Sequence, residues 1–494
     1  MRLRFFLTAG LAVTASGLAC AGSLSPAAAS LGPGAGGHLQ VVSGPSPFVG
    51  GCPGAALDDT HIAGDEIEPA IAVNPAHSQN LIGTWQQDLG FISRSDLIGW
   101  SGDGGKTWQR SQIPGLTACT GGTADAATDP WVSVGPDGTA YFLGIQVNLR
   151  GDLVNTPSAI VASRSHDGGR TWTHPVTVSP FEPVNDTDAI TASPARAGHA
   201  YAVWANWDHT YSFQFPSSVK FSRTTDGGTT WSRPVTVDLP GPGLVDQAPR
   251  LVVLPNGTLL IAYAQADLTA GVGHLYATRS LDEGHTWLPP VLAGSQPIQM
   301  FFDPETGNVY PQTGFPSAAA GPDGTVYVAT ERDSSVSSGA IAVARSRDGG
   351  RTWASSMVTG VSAFAFFPSI AVDSRGTAGV TWYDLRNDRP GDAALTADAW
   401  FAYSDDRGRT WRQRHLAGPF DMRAPPFGTS GHQLGEYQGL AALPGHGFGA
   451  IFTVPAPLAE DGPTDIFYAR IRPCCTTQTR AAGSAPAGAA SKPA

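Results

Sequence analysis

The sequence predicts an all-β fold, a β-propeller of seven four-stranded blades that an N-terminal strand closes into a ring. Three observations predict it: an eight-residue motif recurs six times, alternating apolar segments flank each copy, and tight-turn sequences precede each copy. The composition agrees, because 60 Gly, 40 Pro and 13 Trp suit many short strands joined by turns. A ring of six blades with one unit outside it is the alternative.

The repeated motif reads Ser-x-Asp-x-Gly-x-Thr-Trp, with Thr for Ser in one copy, and we call its six copies the repeat turns. An Asp side chain accepts hydrogen bonds from turn amides, Gly supplies positive φ, and Trp can pin the turn to its own sheet. We therefore expect the six aspartates to be structural. The copies lie at 101–108, 165–172, 224–231, 280–287, 346–353 and 404–411, and consecutive aspartates are 64, 59, 56, 66 and 58 residues apart.

Each unit is expected to hold four antiparallel strands, with the repeat turn between the third and the fourth. In the second unit, residues 131–134 and 139–143 flank the turn Gly135-Pro136-Asp137-Gly138, residues 159–163 precede the repeat turn and 175–178 follow it. The same pattern places seven first strands near Ile71, Val132, Ile190, Val252, Ala319, Ile370 and Leu440.

The last unit has no repeat turn and no fourth strand of its own. Residues 38–43 form a lone strand before the first unit, and we expect them to fill the missing position, because an open array leaves an edge strand unpaired. The propeller is thus expected to span 38–473. Residues 474–494, rich in Ala, Gly, Ser and Pro, are expected to be a disordered tail.

The first 29 residues are typical of an export signal, with Arg2 and Arg4 before an apolar stretch and cleavage after residue 21 or 29. A lipoprotein anchor at Cys20 is the less favoured alternative. No later apolar stretch reaches about 18 residues, so we expect a secreted monomer with no transmembrane segment. The net charge of −11, with lysine only at Lys106, Lys220 and Lys492, argues against a nucleic-acid partner.

Four cysteines remain after signal removal, an even number that suggests disulfides outside the cytoplasm. We favour a bond between Cys52 and Cys119, which lie on either side of the first unit. The pairing of the adjacent Cys474 and Cys475 stays open.

Functional residues are expected where first strands begin and second strands end, because both open on one face, around the central funnel and opposite the repeat turns. Carboxylates, aromatic rings and arginines there suit a glycan: paired acids hydrolyse glycosidic bonds, and arginines bind substrate carboxylates. The catalytic candidates are Glu68, Asp129, Asp188, Asp384, Glu436 and Tyr437. The substrate-binding candidates are Gln87, Asp88, Trp207, Arg332, Tyr383 and Arg386.

Two alternative roles stay open for these acids. Carboxylates at strand starts also satisfy neighbouring backbone amides, which would make them structural. No cofactor is required, but Asp186 with Asp188, or Asp129 with its neighbours, could hold calcium. No spacing of zinc ligands and no phosphate-binding loop occurs.

Residues of about 50–472 resemble the exported bacterial sialidase-like proteins with Asp-box (BNR) repeats. The resemblance rests on the repeat turns and on four segments: Glu68-Pro69-Ala70-Ile71-Ala72-Val73-Asn74-Pro75, Asp129-Pro130-Trp131-Val132, Tyr383-Asp384-Leu385-Arg386 and Glu436-Tyr437-Gln438-Gly439-Leu440. It implies an exo-glycosidase with an arginine triad for the sialate carboxylate, an Asp acid/base, and a Tyr nucleophile activated by Glu.

On that resemblance, Tyr437 or Tyr383 would be the nucleophile, with Glu436 or Glu68 as its base. The first inner strand departs from the family, which has Arg-Ile-Pro where this chain reads Glu68-Pro69-Ala70-Ile71. The triad would then need arginines from elsewhere, namely Arg332, Arg386 and Arg250.

The function predicted from the sequence is therefore an exported, sialidase-like exo-glycosidase that removes a terminal sugar from glycans. A non-catalytic propeller that binds a glycan or a protein is the alternative, motivated by the missing arginine. A polysaccharide lyase or an endo-glucanase is a weaker one.

Overall fold

A computed structural model describes residues 39–52, 60–90, 92–149, 157–182, 184–207, 216–295, 301–303, 305–310, 315–335, 338–360, 364–391, 393–428, 431–432, 434–456 and 458–473. The predictions for the export signal at 1–29, for Cys474 and Cys475, and for the tail at 474–494 lie outside these residues. Within them, no helix has the length and apolar character needed to cross a membrane.

The described strands form seven four-stranded antiparallel blades in a ring, so the fold is a seven-bladed β-propeller. After β1 (Leu39–Val41), blade 1 contains β2 (Glu66–Val73), β3 (Leu81–Gln87), β4 (Ser95–Ser101) and β5 (Gln109–Ser111). A short 3-10 turn at Ala118–Thr120 leads to blade 2, with β6 (Ala126–Val134), β7 (Ala140–Val147), β8 (Ser158–Ser165) and β9 (Val176–Glu182). Blade 3 contains β10 (Val184–Ala192), β11 (Ala200–Trp207), β12 (Ser217–Thr224) and β13 (Val235–Asp238).

The remaining blades follow the same order. Blade 4 contains β14 (Leu244–Val253), β15 (Leu259–Asp267), β16 (Val272–Ser280) and β17 (Val291–Ser295), and the hairpin β18 (Phe301–Phe302) with β19 (Val309–Tyr310) follows it. Blade 5 contains β20 (Ser317–Ala320), β21 (Val326–Ser335), β22 (Ser338–Ser346) and β23 (Ala354–Met357). Blade 6 contains β24 (Ala365–Val372), β25 (Ala378–Asp384), β26 (Thr396–Ser404) and β27 (Arg412–Asp421), before the hairpin β28 (Phe427–Gly428) with β29 (Gly431–His432). Blade 7 contains β30 (Gly439–Leu443), β31 (Gly447–Pro455) and β32 (Thr464–Ile471).

The N-terminal strand completes blade 7, as predicted. β1 pairs antiparallel with β32, with Leu39 opposite Ala469 and Val41 opposite Phe467. The predicted disulfide between Cys52 and Cys119 is also present, and it ties the segment after β1 to the loop between blades 1 and 2. Closure therefore joins the two ends of the described chain, and β1 supplies the outer, fourth strand of blade 7.

The repeat turns are self-contained hydrogen-bonded units. In the first, Asp103 Oδ1 accepts the amides of Lys106 (2.9 Å) and Thr107 (3.0 Å), Asp103 Oδ2 accepts the Thr107 hydroxyl (2.6 Å), and Ser101 Oγ accepts the amide of Gly105 (2.9 Å). These bonds outweigh the opposing effect of burial and lower the pKa of Asp103 to about 2. The aspartate is fully used by its own turn, which agrees with the structural role predicted for it.

Close packing explains the glycine that precedes the last three residues of each repeat turn. Gly105 has a φ of 85°, and a Cβ there would lie 2.2 Å from the ring of Tyr468 in blade 7. Gly284 has a φ of 86°, and its Cβ would lie 2.3 Å from the ring of Phe221 in blade 3. Each turn thus rests on the preceding blade, so the motif couples neighbouring blades as well as closing a hairpin.

Candidate functional site

The first strands begin at the end of the ring opposite the repeat turns. The amide of Gly104, in the first repeat turn, donates to the carbonyl of Gln79 (2.8 Å) in the connection from β2 to β3, so these two turns share one face. Glu68 lies near the other end of β2. The equivalent ends of β6, β10, β14 and β30 bring side chains from blades 1, 2, 3, 4 and 7 together around the axis.

A bulge at this end interrupts the first strand in blades 1, 2, 3, 4 and 6. Each bulge inserts one extra residue, and a non-glycine residue there has a φ near 50–57°. Such backbone costs free energy and turns a side chain that would otherwise follow the strand. The positive-φ residues are Glu68, Asp129, Thr187, Ala248 and Phe367.

Side chains of one blade hold the bulge of the next. Asp129 Oδ2 accepts the amide of Thr187 (2.9 Å), and Thr187 Oγ1 in turn accepts the amide of Ala248 (3.0 Å). In the same way, Glu331 Oε1 accepts the amide of Phe367 (3.0 Å). Asp129 therefore has a structural role as well as a position in the funnel. This is the alternative given above, in which carboxylates at strand starts satisfy neighbouring backbone amides.

Six carboxyl groups gather at this end of the ring. Burial is nearly complete for Asp96 (0% exposed), Asp188 (1%) and Glu68 (6%), whereas Asp129, Asp186 and Glu436 are half-buried. The Glu68 carboxylate is fixed by the side chain of Gln86 and by the amide of Glu436. No other described residue donates a hydrogen bond to either oxygen of Asp188.

Arg250 is the one guanidinium that the described residues place among these acids. It is 5% exposed, donates from Nη1 to the carbonyl of Pro249 (3.0 Å), and lies 4.6 Å above the ring of Trp131 and 5.8 Å above that of Tyr437. Burial lowers the pKa of Arg250, and Tyr437, Asp188, Asp129 and Glu68 oppose that change. The arginine is thus the local counter-charge for the acids and forms an aromatic–cation layer with the two rings.

Burial and mutual repulsion raise the pKa values of the acids. Burial and then the charge of Asp129 raise the pKa of Asp186 to about 7, and raise those of Glu68 and Asp188 well above the ordinary value. The pKa of Glu436 is also raised well above its ordinary value, first by burial and then by Glu68. These acids therefore hold their protons to a higher pH than free carboxyl groups do.

Asp129 is the group whose ionised form is best supported. Burial leaves its pKa raised, but the hydroxyl of Thr128 (2.8 Å to Oδ1), the amide of Thr187 and the charge of Arg250 oppose that rise. The Thr187 amide also opposes the rise in the pKa of Asp186, so Thr128 and Arg250 are what distinguish Asp129, whose charge helps to keep Asp186 protonated. Neighbouring carboxyl groups whose environments separate their pKa values are typical of an acid and a base that act together.

Asp96 enters the cluster from the third strand of blade 1 through a gap in blade 2. Opposite the bulges, blades 1, 3, 4 and 6 carry large buried aromatic residues: Trp85, Trp204, Tyr263 and Trp382. Blade 2 has Gly144 at this position, and a Cβ there would lie 3.1 Å from Asp96 Oδ2. The missing side chain leaves room for the carboxylate, which has no hydrogen-bond partner among the described residues.

Tyr437 belongs to the cluster but is poorly suited to act as a phenolate. Burial and then the charges of Glu68, Asp129 and Asp188 raise its pKa well above the ordinary value. Its hydroxyl lies 3.4 Å from the carbonyl of Pro130, and its ring packs 5.2 Å from that of Trp131. Tyr437 is therefore arranged as a wall of the funnel.

Several candidates have partners outside the cluster. Asp88 accepts the hydroxyl of Ser46 (2.6 Å), the amide of Gly64 (2.9 Å) and the side chain of Gln87 (2.8 Å) beside the ring closure. The same Gln87 accepts the indole N–H of Trp85 (2.9 Å). These bonds tie the exit of β3 to the N-terminal segment, so both residues are held in a structural network.

The blade 6 candidates form their own ion pair. Asp384 accepts Arg386 Nη2 at 2.5 Å and the indole N–H of Trp382 at 2.9 Å, while the Arg386 guanidinium lies 3.9 Å above the ring of Trp400. Tyr383 is 1% exposed and donates its hydroxyl to the carbonyl of Thr453 (2.8 Å) in blade 7. None of these three contacts the Asp129 cluster.

The last two candidates lie on the second strands of blades 3 and 5. Trp207 is completely buried at the end of β11. Arg332 is half-buried in blade 5, and its Nε has no hydrogen-bond partner among the described residues. Of the arginines considered for a triad, Arg250 is the one whose charge is shown to act on the acids, and Asp96 and Asp186 join the site although the sequence did not rank them as catalytic. In the described part of the chain, no three His, Cys, Asp or Glu side chains are arranged to hold a metal ion, and calcium stays a prediction.

No protein-family model matches this chain, and no curated protein matches its sequence. Solved structures do resemble it. A protein of unknown function from Dyadobacter fermentans is 15% identical and covers 75% of this chain and 99% of its own, with a TM-score of 0.47. The Hadza microbial sialidase Hz136 is 16% identical and covers 79% and 76%, with a TM-score of 0.46.

An α-L-arabinofuranosidase from Fusarium graminearum, solved with an iminosugar inhibitor, is 16% identical and covers 70% of this chain and 93% of its own, with a TM-score of 0.43. Identities and scores of this size assign no family and no activity to this chain.

Proposed function

We propose that this protein is an exported glycoside hydrolase that removes a terminal sugar, with its active site in the acid cluster at the end of the ring opposite the repeat turns. The proposal rests on the pairing of Asp129 and Asp186, two half-buried carboxyl groups of one cluster: burial raises the pKa of both, but only Asp129 has the hydroxyl of Thr128 and the charge of Arg250 to support its ionised form. Glycosidic bond hydrolysis needs such a pair, one carboxylic acid and one carboxylate.

Asp186 is the group we assign as general acid. With a pKa of about 7 it holds its proton near neutral pH, and as a half-buried side chain it can reach a bound sugar. It would protonate the glycosidic oxygen as the bond to the sugar breaks, so that the leaving group departs as an alcohol.

Asp129 is the group we assign as the ionised partner. Thr128, Thr187 and Arg250 support its negative charge, which would stabilise the positive charge that develops on the sugar ring or activate a water molecule. Glu68 is a positioning residue, because Gln86 and the amide of Glu436 hold its carboxylate in place.

A terminal sugar other than sialate fits this site better than sialate does. Recognition of a sialate carboxylate would use several arginines, and only Arg250 is present in the described cluster, already stacked on Trp131. Arg386 is bound to Asp384 and to Gln413 Oε1 (2.9 Å), away from the acids. We therefore propose the predicted exo-glycosidase activity, but on a terminal sugar other than sialate.

The pH dependence of turnover tests the assignment. With a panel of fluorogenic glycosides, sialoside included, kcat/KM of the wild type should follow a bell-shaped curve whose upper limb falls near pH 7. Asp186→Asn should lower kcat/KM by about 10² to 10⁴ and remove that upper limb, because the proton donor is lost. The effect should be smallest for substrates whose leaving group needs no proton.

Asp129→Asn should remove the lower limb of the same profile. If no glycoside is turned over faster than by the Asp129→Asn, Asp186→Asn double variant, the protein is not a glycosidase of this kind. Saturable glycan binding without product would then favour the non-catalytic propeller, for which Asp129 and Glu68 would serve as structural residues.

A further inference from the structure

The acid cluster has too little positive charge of its own. It contains six carboxyl groups, and Arg250 is the one guanidinium among them in the described part of the chain. A cleft lined by charges of one sign attracts ligands of the opposite sign. The acids are Glu68, Asp96, Asp129, Asp186, Asp188 and Glu436.

Unused hydrogen-bond acceptors accompany this charge. Asp188 is 1% exposed, and no other described residue donates a hydrogen bond to either of its oxygens, although it lies close enough to Asp129 and Arg250 for their charges to act on it. Buried carboxylate oxygens are normally hydrogen-bonded, so acceptors left open at a cleft point to a donor that arrives with a ligand.

Arg250 cannot be that donor for the whole cluster. Its guanidinium is buried between Trp131 and Tyr437, and it donates to the carbonyl of Pro249. The half-buried Glu436 and the unpartnered Asp188 are therefore the groups left to accept hydrogen bonds from a ligand, while Asp186 keeps the proton that the proposed general acid needs. A group that fits them is compact, positively charged and rich in N–H donors, which describes an ammonium.

We propose that the terminal sugar bound in this funnel is an amino sugar with a free, protonated amine, which Asp188 and Glu436 recognise. This inference rests on the proposed function, since it names the substrate class of the same site. The ammonium supplies the missing positive charge, and protons held by the acids leave as it binds.

Calorimetric binding with a β-linked glucosamine trisaccharide and its fully N-acetylated counterpart tests this at pH 6. The free amine should bind at least 10-fold more tightly than the acetylated sugar. That preference should shrink on going from 0.05 M to 0.5 M salt. The heat of binding should depend on the ionisation enthalpy of the buffer, because protons are released.

Glu436→Gln should reduce the preference for the amine at least fivefold, whereas the control Glu460→Gln, which removes a charge outside the cluster, should leave it unchanged. Equal or tighter binding of the acetylated sugar, or no saturable binding of either, overturns the inference. A third arm adds CaCl2 without sugar: binding of the metal alone, with release of protons and loss of amine binding, would make this a metal site and also overturn it.

Binding and turnover separate this inference from the proposed function. Hydrolysis of neutral glycosides with no preference for the amine would keep the glycosidase and overturn the amino sugar. Preferential binding of the amine without turnover of any glycoside would do the reverse.

Discussion

Asp96 is a carboxyl group placed where ionisation is costly, because it is fully buried and has no hydrogen-bond partner among the described residues. Burial and then the charge of Asp129 raise its pKa well above the ordinary value of 3.8. A group whose pKa rises on folding destabilises the folded state progressively as the pH rises above its unfolded pKa. Asp96→Asn should therefore raise Tm at pH 8 and change it little at pH 4, as followed by circular dichroism.

The control for this prediction is Asp103→Asn, because the pKa of Asp103 is lowered to about 2. Its contribution to stability is fully present above pH 4, so this variant should lower Tm by the same amount at pH 4 and pH 8. An equal shift at both pH values for Asp96→Asn would contradict the account of Asp96.

Only part of the acid cluster could be predicted from the sequence. The acids at the start of β2, β6 and β10, and those before β30, could be selected because strand starts can be read from the repeat. Asp96 could not, since its position depends on Gly144 of another blade. The segment from Tyr383 to Arg386 lies at the end of a second strand, as predicted, but the pairing of Asp384 with Arg386 could not be predicted from the sequence.

Among the elements, the repeat turns are predicted to stabilise the fold without taking part in chemistry. Asp167 accepts the amides of Arg170 (3.0 Å) and Thr171 (2.9 Å) and the hydroxyl of Thr171 (2.6 Å). Asp167→Ala removes these bonds and should lower the free energy of unfolding by about 1–3 kcal/mol in urea titrations. The control His77→Ala, at an exposed side chain on the same face, should stay close to wild type.

Strands and turns could be predicted because their causes are local. Alternation, Gly and Asp in turns, and the repeated Trp specify the hairpins within a few residues of chain. The bulges could not be predicted in this way, because the backbone amides at the bulges are hydrogen-bonded by the neighbouring blade. Thr187 is an example: its amide and its hydroxyl bond to blades 2 and 4 respectively. The only local sign is the Pro that follows Glu68, Asp129, Ala248 and Phe367.

At the scale of the whole molecule, ring closure depends on a three-residue strand and one disulfide. β1 pairs with β32 over Leu39–Val41, and the bond between Cys52 and Cys119 spans 67 residues. Cys52→Ser with Cys119→Ser should lower the free energy of unfolding by about 4 kcal/mol, because the unfolded chain gains freedom. Denaturant titrations of the oxidised protein and the double variant measure it. Equal stability of the two would show that β1 closes the ring unaided.

Ring closure could be predicted from the sequence. The last unit has three strands, and the lone strand near the start can supply its fourth. The electrostatic character of the funnel did not follow, because it arises only when five blades bring their first-strand ends together. The distribution of charged residues along the chain does not show that six acids gather in the funnel.

We propose that chemistry occurs at the acid end of the ring and not at the end that carries the repeat turns. The most direct measurement compares glycoside turnover by wild type, Asp186→Asn in the funnel and Asp167→Asn in a repeat turn, each confirmed as folded. We predict that Asp186→Asn loses turnover at neutral pH while Asp167→Asn keeps it. Full activity of Asp186→Asn, or selective loss in Asp167→Asn, would contradict the account.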